Sequence, residues 1–119
     1  MGLFRSRASN DLDAQELSKI SENGGEVIDV RTYHEWEAGH LPFARHIPID
    51  ELLARAGELD KERLNVFICH VGARSQAASD ALGRNGFKTA TVPGGMEAAK
   101  AVGLPVIRSD GSPGRVISA

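Results

Sequence analysis

Val66-Phe67-Ile68-Cys69-His70-Val71-Gly72-Ala73-Arg74-Ser75 sets four apolar residues ending at a cysteine, a short loop containing glycine, and the opening of a helix in a row. A brief apolar run bounded by turn signals reads as a buried strand. From Ser75 to about Asn85 the residues Ala77, Ala78, Ala81 and Leu82 line one helical face, and Gly86 stands at the stop position. In open α/β sheets, ligands bind at the carboxyl ends of strands. Helices that begin there present unpaired N–H groups and a partial positive charge. This unit therefore indicates both the fold class and the place where chemistry would sit.

Working outward, the same alternation recurs. Asp13 and Glu16 form a capping pattern for a helix from about Asp13 to Ser21, stopped by Asn23-Gly24-Gly25. Val27-Ile28-Asp29-Val30 reads as a short buried strand. Thr32 with Glu35 is a second capping box, opening a short helix that ends at Gly39. Arg45 to Ile47 fits a short strand between Pro42 and Pro48, and Asp50 starts a helix through Leu52, Leu53 and Ala56. Thr89 to Val92 is a further strand, followed by Gly94-Gly95, a helix through Ala101, and a closing Leu104-Pro105-Val106-Ile107. Strands alternating with helices predict an α/β domain whose parallel sheet is covered on both faces. Residues 1–10 are expected to be flexible, 11–107 to form the single domain, and 108–119 to be a mobile tail rich in Gly, Ser and Pro.

The bulk numbers exclude several classes. The chain of 119 residues is long enough to bury a core without staples. Its net charge of −2 gives no sign of a nucleic-acid or membrane-surface partner. No apolar run is long enough to span a bilayer, and the amino-terminal residues lack the apolar stretch of a signal peptide. Gly2 and Ser6 fit the loose myristoylation pattern, which so short a string meets readily by chance. The expected location is the cytoplasm. With one cysteine there is no intramolecular disulfide, and the thiol is either an inert buried hydrophobe or a reactive group.

A lone cysteine ending a strand is usually the former. The context of Cys69 reverses that expectation. Helix-start amides and a loop curling round the sulfur favour thiolate over thiol, and the thiolate is the nucleophile. Gly72 permits the tight backbone path, and Arg74 adds a planar cation suited to an oxyanion. The same cradle would stabilise a persulfide. Asp29, at a strand end near this loop, reads as a supporting residue, either hydrogen-bonded to loop amides or paired with an arginine. Arg31 and Glu35 read as a structural ion pair across the strand-to-helix turn. His70 either adds positive charge beside the nucleophile or points to solvent. His34, His40 and His46 with Cys69 fit no zinc spacing, so no metal is expected. His40 reads as a structural hydrogen-bonding residue, and Trp36 as packed beside its helix.

The stretch Cys-x-x-Gly-x-Arg-Ser resembles the active-site loop of rhodanese-like domains. Four further pieces agree in order: Val27-Ile28-Asp29-Val30-Arg31; Glu35 with Gly39-His40-Leu41-Pro42, Ala44 and Ile47-Pro48; Pro93-Gly94-Gly95-Met96; and Gly103-Leu104-Pro105-Val106. The resemblance implies a central, mainly parallel five-stranded sheet flanked by helices. It also implies a sulfurtransferase that needs no cofactor. Cys69 would take sulfur from a donor such as thiosulfate or a persulfide, and His70, Val71, Gly72, Ala73, Arg74 and Ser75 would cradle the resulting persulfide. Cyanide, a small thiol or a protein would accept the sulfur. Phe43 departs from the family's usual Gly, and Ala98-Ala99 stands where an aromatic is usual, which implies looser packing by the loop. Two rivals are weighed against this reading. A cysteine phosphatase or arsenate reductase-like enzyme would place five residues between Cys and Arg, and here there are four. A non-catalytic rhodanese-like binding module has commonly lost the cysteine.

Overall fold

In a computed structural model, which describes residues 11–118, Glu26–Asp29 (β1), Ala44–His46 (β2), Leu64–Ile68 (β3) and Lys88–Thr91 (β4) form one sheet. Its order is β2-β1-β3-β4 and every pairing is parallel. The register sets Val27 beside Val66 and Val66 beside Ala90, while Ile28 lies beside Phe67. Because side chains alternate along a strand, these two rows face opposite sides. Val27, Val66, Ile68 and Ala90 pack against Leu17 of Leu17–Glu22 (α1) and against Met96 and Ala99 of Gly95–Ala101 (α5). Ile28, Val30 and Phe67 pack against Leu52 of Ile49–Arg55 (α3) and against Ala78 and Leu82 of Ala73–Arg84 (α4). A sheet buried on both faces explains why its strands read as continuous apolar runs. Helices as short as α1, α3 and α5 do not persist alone in water, so tertiary packing holds them.

The helical signals fall close to their predicted places. Glu16 Oε1 accepts from the Asp13 N–H at 2.9 Å, although the first turn there is 3-10 and α1 begins only at Leu17. In Tyr33–Ala38 (α2), Thr32 Oγ1 accepts from the Glu35 N–H at 3.2 Å and Glu35 Oε1 accepts from the Thr32 N–H at 3.0 Å, completing the capping box. His40 Nδ1 bonds the Trp36 carbonyl oxygen at 2.9 Å, and its ring stacks on the Trp36 indole.

Three expectations are corrected. Among the described residues the sheet has four strands, not five. Beside β4 the chain makes one isolated parallel bridge, Asp11 to Thr91, with the Leu12 N–H donating to the Thr91 carbonyl. The turn that starts at Asp13 ends this pairing on its carboxyl side. The segment from Ser109, expected as a loose tail, folds back on the domain. The Gly114 N–H donates to the Val106 carbonyl and the Arg115 N–H to the Ala38 carbonyl, and Val116 packs against the core. Glycines permit this approach: a Cβ on Gly39 would lie 2.5 Å from the Arg115 nitrogen, and one on Gly114 would lie 2.7 Å from the Gly39 Cα. The third correction is the Arg31–Glu35 pair, whose members take other partners, described below. The myristoylation pattern and the expected flexible residues 1–10 lie outside the described residues.

Both departures from the family pattern have a local structural account. No described non-glycine residue has positive φ, so the turn at Phe43 is one that a bulky residue accepts, and Phe43 is partly buried against the Leu41 layer. Near Ala98 a cavity of about 270 Å³ is lined by Leu12, Ala14, Pro93 and Val102 among others, with no residue of the Cys69 loop in its wall. Among the described residues no helix is long and apolar enough to cross a membrane.

Candidate active site

Cys69 follows directly on β3, and its side chain packs in the same layer as Val30 and Phe67, with only 1% of its surface exposed. Gly72 turns the chain with a φ of 126°, a region that favours glycine, and α4 starts at the next residue. The helix therefore begins two residues earlier than its apolar face suggested. This brings its first-turn amides to the sulfur. The first intrahelical bond runs from the Gln76 N–H to the Gly72 carbonyl, so the N–H groups of Ala73, Arg74 and Ser75 precede the helical ladder. Sγ accepts from the Gly72 N–H at 3.1 Å and from the Ser75 N–H at 3.4 Å. The Ser75 hydroxyl lies 3.6 Å from Sγ and donates to the Gly72 carbonyl at 3.0 Å. Amide donors and the first turn of a 12-residue helix thus converge on this sulfur. Val71 and Ala73 lie at the exposed rim.

The loop is held from behind by α5. The Met96 N–H donates to the Cys69 carbonyl at 2.8 Å and the Glu97 N–H to the His70 carbonyl at 3.3 Å. This contact explains Gly94-Gly95. A Cβ on Gly95 would sit 2.2 Å from the Cys69 carbonyl oxygen, and Gly95 also has a φ of 51°. Only glycine lets α5 lie against the loop.

The charged residues form three matched sets. Arg31 donates to both oxygens of Asp29, with Nη2–Oδ2 at 2.7 Å, and to the Gly39 carbonyl at 2.8 Å. Both side chains are fully buried at the end of β1. Arg74 forms a bidentate pair with Glu35 at 2.7 and 2.9 Å, linking the active loop to α2. His70 Nε2 meets Glu97 Oε2 at 2.7 Å. Thus Glu35 pairs with Arg74 rather than Arg31, because Asp29, two residues away on the same strand end, already claims the Arg31 fork. Asp29 takes the arginine-paired alternative, and His70 faces α5 rather than open solvent. Glu97 was not among the sequence candidates: in a helix's first turn it reads only as a complement to the dipole. A cavity of about 300 Å³ on the Arg74 side of the loop is walled by Val30, Tyr33, Ile49, Asp50 and Glu51.

Burial alone would raise the Glu35 pKa. The hydrogen bond from Arg74, those from Thr32 and the Arg74 charge outweigh it and hold the carboxyl at about 2, against an ordinary 4.5. The same bond makes the Arg74 guanidinium hold its proton more firmly than usual. Since Glu35 releases its proton more readily folded than unfolded, its contribution to stability is complete above about pH 4.5 and disappears as the pH falls toward 2. Glu35→Gln is therefore expected to flatten the fall of stability across that interval, read from urea midpoints beside the parent protein. An unchanged slope would mean that the pair does not govern acid sensitivity.

A parallel α/β domain with one cysteine at a strand end, ringed by helix-start amides, defines the class of fold and site. The sequence profile of the Rhodanese-like domain matches residues 13–101, and the chain belongs to that family. A sulfurtransferase of Allochromatium vinosum is 31% identical over 105 residues, covering 86% of this chain and 98% of that protein. A Bacillus subtilis protein proposed to be a sulfur carrier is 36% identical over 85 residues, covering 70% of this chain. The match takes in 46% of that relative, so the chain spans about half its length. The crystal structure of a rhodanese-related protein from Thermoplasma volcanium superposes with a TM-score of 0.75 at 30% identity, covering 82% of this chain and 97% of that one. Family and relatives together support sulfur transfer in general as the chemistry of this chain.

Proposed function

We propose that the protein is a sulfurtransferase that carries sulfane sulfur as a persulfide on Cys69. The observation that carries this reading is the pair of backbone N–H groups, of Gly72 and Ser75, pointing at Sγ. In the first step the Cys69 thiolate attacks the outer sulfur of a donor such as thiosulfate. The Sγ–S bond forms, the donor's S–S bond breaks, and sulfite leaves with the bonding pair. In the second step cyanide or a thiol attacks the outer sulfur, and the Cys69 thiolate is the leaving group. Two anionic states, thiolate and persulfide, alternate in one cradle, and no external oxidant or cofactor enters the balance. The N–H groups of Ala73 and Arg74, not used by the helical ladder, are the donors available to the outer sulfur. Asp29, Arg31 and Glu35 act by holding the loop and β1 in place. A cytoplasmic location and a protein acceptor belong to the same reading.

Incubating reduced protein with thiosulfate should add the mass of one sulfur atom, and cyanide should remove it with release of thiocyanate. Absence of sulfur gain with thiosulfate and with small persulfides would reject the sulfurtransferase reading and favour a binding module. A phosphatase reading is disfavoured because a loop with four residues between Cys69 and Arg74 already directs its donors at one sulfur atom. Hydrolysis of a generic phosphate ester would restore it.

A further inference from the structure

The cations round the Cys69 loop are already matched. Arg74 is bidentate on the buried Glu35, Arg31 is enclosed with Asp29, and His70 meets Glu97. The Glu97 carboxylate is 46% exposed. Whichever protonation state His70 takes, the pair carries either no net charge or one negative charge. In the cavity on the Arg74 side, Glu51 is met by Arg55 at 3.0 Å, whereas Asp50 has no cationic partner among the described residues. An incoming sulfur compound therefore meets the carboxylates of Glu97 and Asp50, while Arg31, Arg74 and His70 are each already paired.

We propose that this rim selects sulfur donors whose tail is uncharged or cationic over those with an anionic tail, and that Glu97 is the residue that sets the preference. The proposal rests on the sulfurtransferase reading and names its substrate class: persulfides of thiols that lack an acidic group. With such a donor, R–S–SH, the Cys69 thiolate attacks the outer sulfur. The Sγ–S bond forms and the donor's S–S bond breaks. The departing sulfur takes up the donor's proton and leaves as R–SH. The balance closes without oxidant or reductant. Dianionic thiosulfate delivers the same sulfur but approaches against the rim.

The test compares loading of the full chain by cysteamine persulfide, whose tail is an ammonium, and by 3-mercaptopropionate persulfide, whose tail is a carboxylate. The chemistry at sulfur is alike and only the tail charge differs. In the parent protein at low ionic strength the ammonium donor should load faster. Added salt should slow it and speed the carboxylate donor, because screening removes attraction and repulsion alike. Glu97→Gln should cut the ratio of the two rates by roughly fivefold, the size expected for one charge some 8 Å from the tail in a water-like medium. Glu97→Lys should invert the preference. A ratio unmoved by both substitutions, or equal loss of loading from both donors, would overturn the proposal; the latter would mean that Glu97 only positions His70. Failure of the parent protein to load from any donor, thiosulfate included, would instead reject the sulfurtransferase reading itself.

Discussion

A Cys69→Ser protein is expected to fold as the parent does and to gain no sulfur from any donor. Serine differs from cysteine by one atom, and at this position it finds donors already in place in the N–H groups of Gly72 and Ser75. The cost of burying its hydroxyl is therefore largely offset, and the loss of stability should stay within about 1–2 kcal/mol. The chemical loss is of another order. The nucleophile in sulfur transfer is a thiolate, whereas an alcohol keeps its proton at neutral pH and is a far poorer nucleophile. No other cysteine exists in the chain to take over. Turnover should fall by on the order of 10⁴-fold or more, as when a covalent nucleophile is removed from other enzymes. Intact mass after thiosulfate treatment and sulfite release give the chemical readout, and a thermal melt gives the structural one. Sulfur gain by a folded Cys69→Ser protein would place the carrier elsewhere.

Much of this site is legible in the sequence because its parts are local. Cys69, Gly72, Arg74 and Ser75 lie within seven residues, and a strand end followed at once by a helix start fixes how their backbones converge. Thr32 and Glu35 are equally local, and the capping box they announce is present. What the sequence hides is pairing over distance. Glu35 satisfies its cap and also reaches 39 residues along the chain to Arg74, and nothing in local spacing favours that partner over Arg31. His70 and Glu97 meet across 27 residues, only because Gly95 lets α5 lie against the loop. The edge of the sheet and the return of the carboxyl-terminal segment are illegible for a related reason. Edge pairing at Asp11 and the return of Arg115 to Ala38 depend on backbone contacts that composition does not encode.

The loop's position rests on two supports of different kinds. Behind it, α5 supplies backbone donors that no side-chain substitution removes directly. Beside it, Arg74 ties the loop to α2 through a partly exposed pair whose carboxylate side is buried. The loop also meets the end of β1, where the Val30 N–H donates to the Ile68 carbonyl just before Cys69. Whatever loosens β1 at that point reaches the nucleophile through one peptide.

For that reason the largest loss of stability is expected at Asp29. Its carboxylate accepts three hydrogen bonds from the Arg31 side chain and a fourth from the Arg31 N–H at 3.0 Å, with both residues fully buried. Arg31 has little to fall back on. Nη2 retains the Gly39 carbonyl, and Nη1 is buried without a partner. Asp29→Ala would leave a guanidinium charge enclosed in a space without water access, a change that costs about 3–5 kcal/mol. In a domain of this size that is a fall in Tm of roughly 10–20 °C. Asp29→Asn should lose less, since its oxygen still accepts, but the uncompensated charge remains. Replacing both partners with apolar residues, Asp29→Leu with Arg31→Met, should recover a large part of the loss, because the desolvation penalty goes with the charges. The double-mutant cycle from urea unfolding measures the coupling. If Asp29→Ala alone costs less than about 1 kcal/mol, the pair does not hold β1. The support of the Cys69 loop would then lie with α5 and with Arg74–Glu35.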